Sequence, residues 1–95
     1  AGLALVARQA SNRLGEIDLI MRQGDELVFV EVRHRRRSDY GSAADSVTSA
    51  KQRRVLRAAQ AWLQNHCGDR WPACRFDVVA IDGHSIEWIR GAFCL

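Results

Sequence analysis

Cysteine is scarce in this sequence and its spacing pairs nothing: Cys67, Cys74 and Cys94 are an odd three with no CxxC among them. That indicates neither a disulfide framework nor a zinc knuckle, and the expected setting is reduced and cytoplasmic. His66 and Cys67 are neighbours, but no fourth ligand stands at suitable spacing, so both read as structural. No apolar run reaches the roughly 20 residues that span a bilayer, which excludes a membrane helix, and the first residues lack the charged and apolar regions of a signal peptide. Repeats and low-complexity tracts are also missing. What remains is a 95-residue chain, 47% hydrophobic, of a size for one domain over 1–95 with one core. Lys and Arg total 14 against 11 acidic residues, a net charge of +3 that permits a polyanionic partner. The sequence opens at Ala1 without an initiator Met, and the expectation is that an upstream part is missing.

The stretch Gly15 to Arg33, GEIDLIMRQGDELVFVEVR, is the densest signal. Two alternating segments flank Gly24-Asp25, which predicts a hairpin. With a two-residue loop, partners pair Arg22 with Leu27, Ile20 with Phe29, Asp18 with Glu31 and Glu16 with Arg33; a four-residue turn over 23–26 keeps the same pairs. Ile17, Leu19 and Met21 then meet Val32, Val30 and Val28 on an apolar face. On the other face Asp18 and Glu31 stand about 5 Å apart at Cβ, a like-charge pair that destabilises a ladder. The pair makes sense if a divalent cation lies between them, with Arg33 or a substrate nearby. The competing reading is a solvated sheet face on which charges coincide.

Beyond Arg33 the chain turns strongly basic. Arg35, Arg36 and Arg37 predict phosphate contacts in a loop, and Tyr40 can stack on a base; the alternative is a solvated basic loop. A helix is expected next, capped by Thr48 or Ser49, with Ser49-Ala50-Lys51-Gln52 matching a capping box. Val55, Leu56, Ala59, Trp62 and Leu63 form its buried stripe. Lys51, Gln52, Arg53, Arg54 and Arg57 crowd the first turns, where the macrodipole is positive and cations are disfavoured. Such a local conflict marks a phosphate-binding surface. Gly68 is the expected helix cap, Asp69 to Pro72 a turn with Trp71 over a core edge, Arg75 to Ile81 a buried strand, and Ser85 to Arg90 a short edge strand after the Asp82-Gly83 turn, with Phe93 closing the core.

Leu3 to Arg8 is apolar enough for a further strand pairing with the hairpin, followed by a turn or loop over Gln9 to Gly15; three strands, a helix and two strands then predict an α/β fold on a mixed sheet. GEIDLI, FVEVR, the basic loop, KQRR opening a helix, RFDVVAI and IEWIRGAF together resemble the YraN-like proteins of bacteria over almost the whole chain. That family is similar to the Holliday-junction resolvases within the PD-(D/E)xK restriction-endonuclease-like superfamily. The resemblance implies a restriction-endonuclease-like core of about five strands (β-β-β-α-β-β) whose first helix, which supplies a further glutamate, would precede Ala1. It makes Asp18 and Glu31 metal ligands for Mg2+ or Mn2+ and sets Arg33 in the catalytic lysine position. Arginine stays protonated, so Arg33 can clamp a phosphate but cannot serve as a base. Glu16 either substitutes for the missing carboxylate or pairs with Arg33. The implied function is a metal-dependent endonuclease acting on structured or branched DNA. The alternative is a nucleic-acid-binding module that keeps the fold with little catalysis. No membrane partner is expected, and an uncovered sheet face would call for a homodimer or an unseen segment.

Overall fold

The computed structural model describes residues 2–34 and 47–93. Its elements run β1 (Ala4–Asn12), β2 (Gly15–Gln23), β3 (Glu26–His34), α1 (Ser49–Cys67), β4 (Cys74–Asp82) and β5 (Ser85–Phe93). They form one five-stranded sheet whose spatial order is the sequence order. Neighbours joined by tight turns are antiparallel, while β3 and β4 are parallel and lie on either side of α1 in the chain. This is the mixed sheet expected of β-β-β-α-β-β. No described helix is long and apolar enough to cross a membrane.

Turn chemistry sets the register. Gln23 pairs with Glu26, so Gly24-Asp25 is a two-residue loop, with Gly24 at φ 60 where a side chain would be strained. The β4–β5 hairpin repeats this device, Asp82 pairing with Ser85 around Gly83 at φ 57. Period-two alternation then sends Leu27 and Phe29 toward α1, where Ile17, Ile20 and Phe76 join Val55, Ala58, Ala59 and Leu63 in the main core. Phe29, Phe76 and Phe93 are in register across three strands and stack at 5.1 and 5.2 Å between ring centroids. Trp62 meets Phe29 edge-on at 6.1 Å. The opposite face carries Val28, Val30 and Val79 with Leu19, Met21, Val32 and Ile81.

Several expectations change. β5 runs on through Gly91 to Phe93 instead of ending at Arg90 as a short strand, and β1 continues to Asn12 past the loop expected from Gln9. Ile17 does not join Leu19 and Met21 but packs under α1, for a reason that lies in the site described below. Trp71 is exposed, and its indole N–H donates to the Gly68 carbonyl at 2.8 Å, bracing the helix end instead of covering core.

The far end of the sheet is held by a buried charge. Asp77 is fully buried and accepts four hydrogen bonds: Arg75 Nε and Nη2 at 2.9 and 3.1 Å, Trp88 Nε1 at 2.8 Å and the Gly91 amide at 3.0 Å. Gly91 sits at φ 60 where the β4–β5 register slips between Phe76 and Val78, so the bulge and the carboxylate explain one another. Arg75 also reaches Gln23 Oε1 at 3.0 Å and Glu26 Oε1 at 3.1 Å, tying the hairpin end of β2–β3 to β4. Removing one partner of a buried, saturated ion pair costs about 3 kcal/mol. Asp77→Ala is expected to lose that much in urea unfolding, and a loss near zero would show that Arg75 and Trp88 find other partners.

Candidate functional site

The β2–β3 ladder runs regularly from Gln23 and Glu26 to Leu19 and Val30 and ends there. Continued, it would pair Ile17 with Val32. Instead the Val32 amide donates to Asp18 Oδ2 at 2.8 Å, so a side-chain carboxylate takes a hydrogen bond that a backbone carbonyl would have received. The neighbouring strand bends with it. Arg8 pairs with Leu19 and Ala10 with Ile17, which puts Gln9 opposite Asp18, and Gln9 has φ 48, the one non-glycine with positive φ among the described residues. On each strand the inward residues are then three apart: Ala7 and Ala10 on β1, Ile17 and Ile20 on β2, all packed on the α1 side. Strict alternation would allow only two. The kink therefore turns Ile17 inward and leaves Asp18 in the split between β2 and β3.

That split opens a cavity of about 200 Å³ lined by Gly15, Glu16, Asp18, Glu31, Lys51 and Arg54. Asp18 also lines a shallower hollow on the other side with Arg8, Gln9, Leu19 and Val32. Asp18 and Glu31 thus share one cavity, although they are not direct ladder partners as hairpin parity expected. Glu16 lines the cavity too. Its expected pairing with Arg33 is not among the ion pairs of the described residues.

Helix α1 roofs this cavity because its first turns are pinned to the β1–β2 corner. Thr48 Oγ1 accepts from the Lys51 amide at 3.2 Å, making Thr48 the N-cap, while Gln52 Nε2 donates to the Val47 carbonyl at 3.1 Å. Asn12 Nδ2 donates to the Ala58 carbonyl at 3.2 Å. At Gly15, with φ 155, a Cβ would lie 3.4 Å from the Arg54 carbonyl oxygen and 3.6 Å from the Ala58 Cβ, so glycine lets β2 start directly against the helix. Lys51 and Arg54, three apart, consequently lie on the same helix face over the carboxylates.

Glu31 is only 5% exposed, and Lys51 Nζ stands 3.0 Å from its Oε1. Burial pushes the Glu31 carboxyl above its ordinary value; the hydrogen bond from Lys51 opposes this, and the Asp18 charge adds to it. With no acidic residue in the first turn of α1, Lys51 sits at an end where the macrodipole disfavours it. The buried carboxylate is what compensates.

The other candidates scatter. Arg53 and Arg57, four apart, are exposed on α1 and do not line the cavity. Gln52 serves the cap. Arg33 is half-buried in register with Ala80, does not line the cavity, and has a buried Nε with no hydrogen-bond partner among the described residues. Arg35, Arg36, Arg37 and Tyr40 lie outside the described residues. The Lys51–Glu31 pair and the kink at Gln9 escaped the sequence reading. The first had a signal, a lysine in an acid-free first turn; the second had none, since glutamine carries no mark of positive φ.

No group of three or more His, Cys, Asp or Glu side chains among the described residues could hold a metal. Two carboxylates remain, both hard oxygen donors, and that suits a cation that keeps most of its coordination sphere for water and phosphate oxygens, the habit of Mg2+. It does not suit the four-ligand shell of structural zinc.

An open mixed sheet in this order, with one helix over its carboxylate-bearing end, is an α/β nuclease-like fold. The chain belongs to a family described as uncharacterised protein family UPF0102, whose model matches residues 1–81. It is similar to the UPF0102 protein YraN of Escherichia fergusonii, 54% identical over 93 residues, which are 97% of this chain and 71% of that protein. The same identity and coverage hold for the protein of that name in Escherichia coli strain SE11 and in Shigella dysenteriae serotype 1.

A raised Glu31 binds its proton more tightly in the folded protein than in the unfolded chain. Its contribution to stability therefore falls as pH rises from the ordinary glutamate value of 4.5 toward the raised one. Glu31→Gln cannot titrate. Urea unfolding across this window should show the variant gaining on the wild type as pH rises, and a pH-independent difference would contradict the burial effect.

Proposed function

We propose that this protein is a metal-dependent endonuclease acting on structured or branched DNA. The observation that carries the proposal is a single cavity holding Asp18 and Glu31 beneath Lys51 and Arg54. Acidic oxygens beside cations are the pairing that phosphodiester chemistry uses, because the cation site and the substrate anion must both be satisfied within a few ångströms. Mg2+ or Mn2+ held by Asp18 and Glu31 would supply Lewis-acid polarisation of a phosphate oxygen and a bound water of lowered pKa.

The chain's own groups have distinct parts. Asp18 is oriented by the Val32 amide, which fixes one carboxylate oxygen and turns the group toward the split. Glu31 is held rigidly by burial in the sheet. Arg53, Arg54 and Arg57 offer cations along α1 for flanking phosphates, and the sequence adds Arg35, Arg36, Arg37 and Tyr40 for neighbouring nucleotides. The preference for branched DNA rests on the family resemblance. A nucleic-acid-binding module with the same fold and weak catalysis is the second reading, and the position of Arg33 outside the cavity favours it.

Cleavage of four-way junction, flap and single-stranded substrates with Mg2+ or Mn2+ separates the two. The enzyme reading expects metal-dependent cutting that falls about 100-fold in Asp18→Asn. No cutting, together with salt-sensitive binding that needs no metal, would favour the binding module. Cutting indifferent to Asp18→Asn would remove the site.

A further inference from the structure

We propose that Lys51, carried on α1, supplies the mobile ammonium of the catalytic centre: it neutralises Glu31 while the site lacks a cation and passes to the scissile phosphate once Glu31 takes one. This rests on the cleavage reading above and adds to it the residue that meets the phosphate charge.

Three observations converge on Lys51. Its Nζ lies 3.0 Å from Glu31 Oε1, and it is the one cation paired to a cavity carboxylate among the ion pairs of the described residues. Its side chain is 34% exposed while that of Glu31 is 5% exposed, so the ammonium reaches the carboxylate from the open side, where a phosphate would arrive. Arg33, on the same strand as Glu31, is disposed differently: it does not line the cavity, and its Nε is buried without a partner among the described residues. The strand thus offers no cation to the cavity, whereas the helix does.

A carboxylate that is to bind a divalent cation needs its charge balanced beforehand, because an isolated buried carboxylate is costly. Lys51 provides that balance with a flexible stem and three rotatable donors, so the contact can be exchanged without moving the backbone. Arg54 lines the same cavity but has no such pair with Glu31. In the cleavage step a water oxygen bonds to phosphorus, the bond from phosphorus to the leaving nucleotide oxygen breaks, one water proton ends on that oxygen and the other is released to solvent. Negative charge builds on the phosphoryl oxygens as this happens. An ammonium delivered there is worth a rate factor on the order of 100 to 1,000, the usual effect of removing one such donor.

The test measures Mn2+ binding by calorimetry at pH 8, four-way junction affinity with Ca2+ in place of Mn2+, and single-turnover cleavage with Mn2+, for wild type, Lys51→Met and Lys51→Arg. The expected result for Lys51→Met is Mn2+ affinity unchanged or up to about tenfold tighter, because a competing cation has gone. Junction affinity stays within about threefold, while cleavage slows about 100-fold. Lys51→Arg, which keeps the charge, should recover part of the rate and guards against a Met variant that fails to fold. Cleavage at the wild-type rate in Lys51→Met, or loss of Mn2+ binding with it, overturns the proposal while leaving the nuclease reading intact. No Mn2+ heat and no cleavage in the wild type overturns both.

Discussion

The hydrogen bond from the Val32 amide to Asp18 Oδ2 is the constraint from which the site follows. An antiparallel ladder is satisfied backbone to backbone, and a side chain that takes over one of its amides ends regular pairing there. Below Asp18 the strands run in register to the Gly24-Asp25 turn; at Asp18 the regular pairing ends, and Asp18 and Glu31 line the cavity there. A single acceptor substitution thus converts the middle of a sheet into a wall of a site. It also holds the acceptor, since a carboxylate bonded to a backbone amide in a packed sheet has little rotational freedom left.

The cavity roof depends on a different kind of fit. Glycine at position 15 and the Asn12 bond to the Ala58 carbonyl bring α1 down on the β1–β2 corner. The first turn of that helix carries cations where its dipole opposes them, which costs a few tenths of a kcal/mol to about 1 kcal/mol in an exposed helix. Here Lys51 has a buried carboxylate 3.0 Å away, so the opposing fields of dipole and Glu31 act on the same ammonium. A lysine in that state is bound without being locked.

How far the sequence could be read follows from these contacts. Gly24-Asp25 announces its loop chemically, and two-residue loops fix register, so the pairs from Gln23 to Leu19 were legible residue by residue. The core stripe of α1 and the Gly68 cap were legible for the same reason, that each is encoded within one turn of chain. Parity failed at Ile17 because alternation assumes a regular strand, and the pairing is interrupted where Asp18 takes the Val32 amide, with Gln9 at positive φ opposite it. Asp18 and Glu31 nevertheless line the same cavity. Lys51 was legible as a misplaced cation and assigned to phosphate; its contact with Glu31 depends on how the helix sits against the sheet, which no local pattern encodes. Arg33 was read into the site from its place in the strand, and its half-buried position in register with Ala80 keeps it off the cavity.

The strain at the open end is sustained by the closed end. Gln9 at positive φ costs on the order of 1–3 kcal/mol, and the splayed strands forfeit ladder bonds as well. What offsets this lies along β3, β4 and β5: the aromatic stack of Phe29, Phe76 and Phe93, and the Asp77 carboxylate with four donors. Arg75 carries that support across to Gln23 and Glu26, at the foot of the same two strands that part at Asp18. The hairpin is therefore clamped at its turn and released at its mouth. A sheet paired evenly along its length would have no gap for Asp18, and one loose along its length could not hold Asp18 and Glu31 in a fixed relation. The cavity end can be irregular because the other end is over-determined.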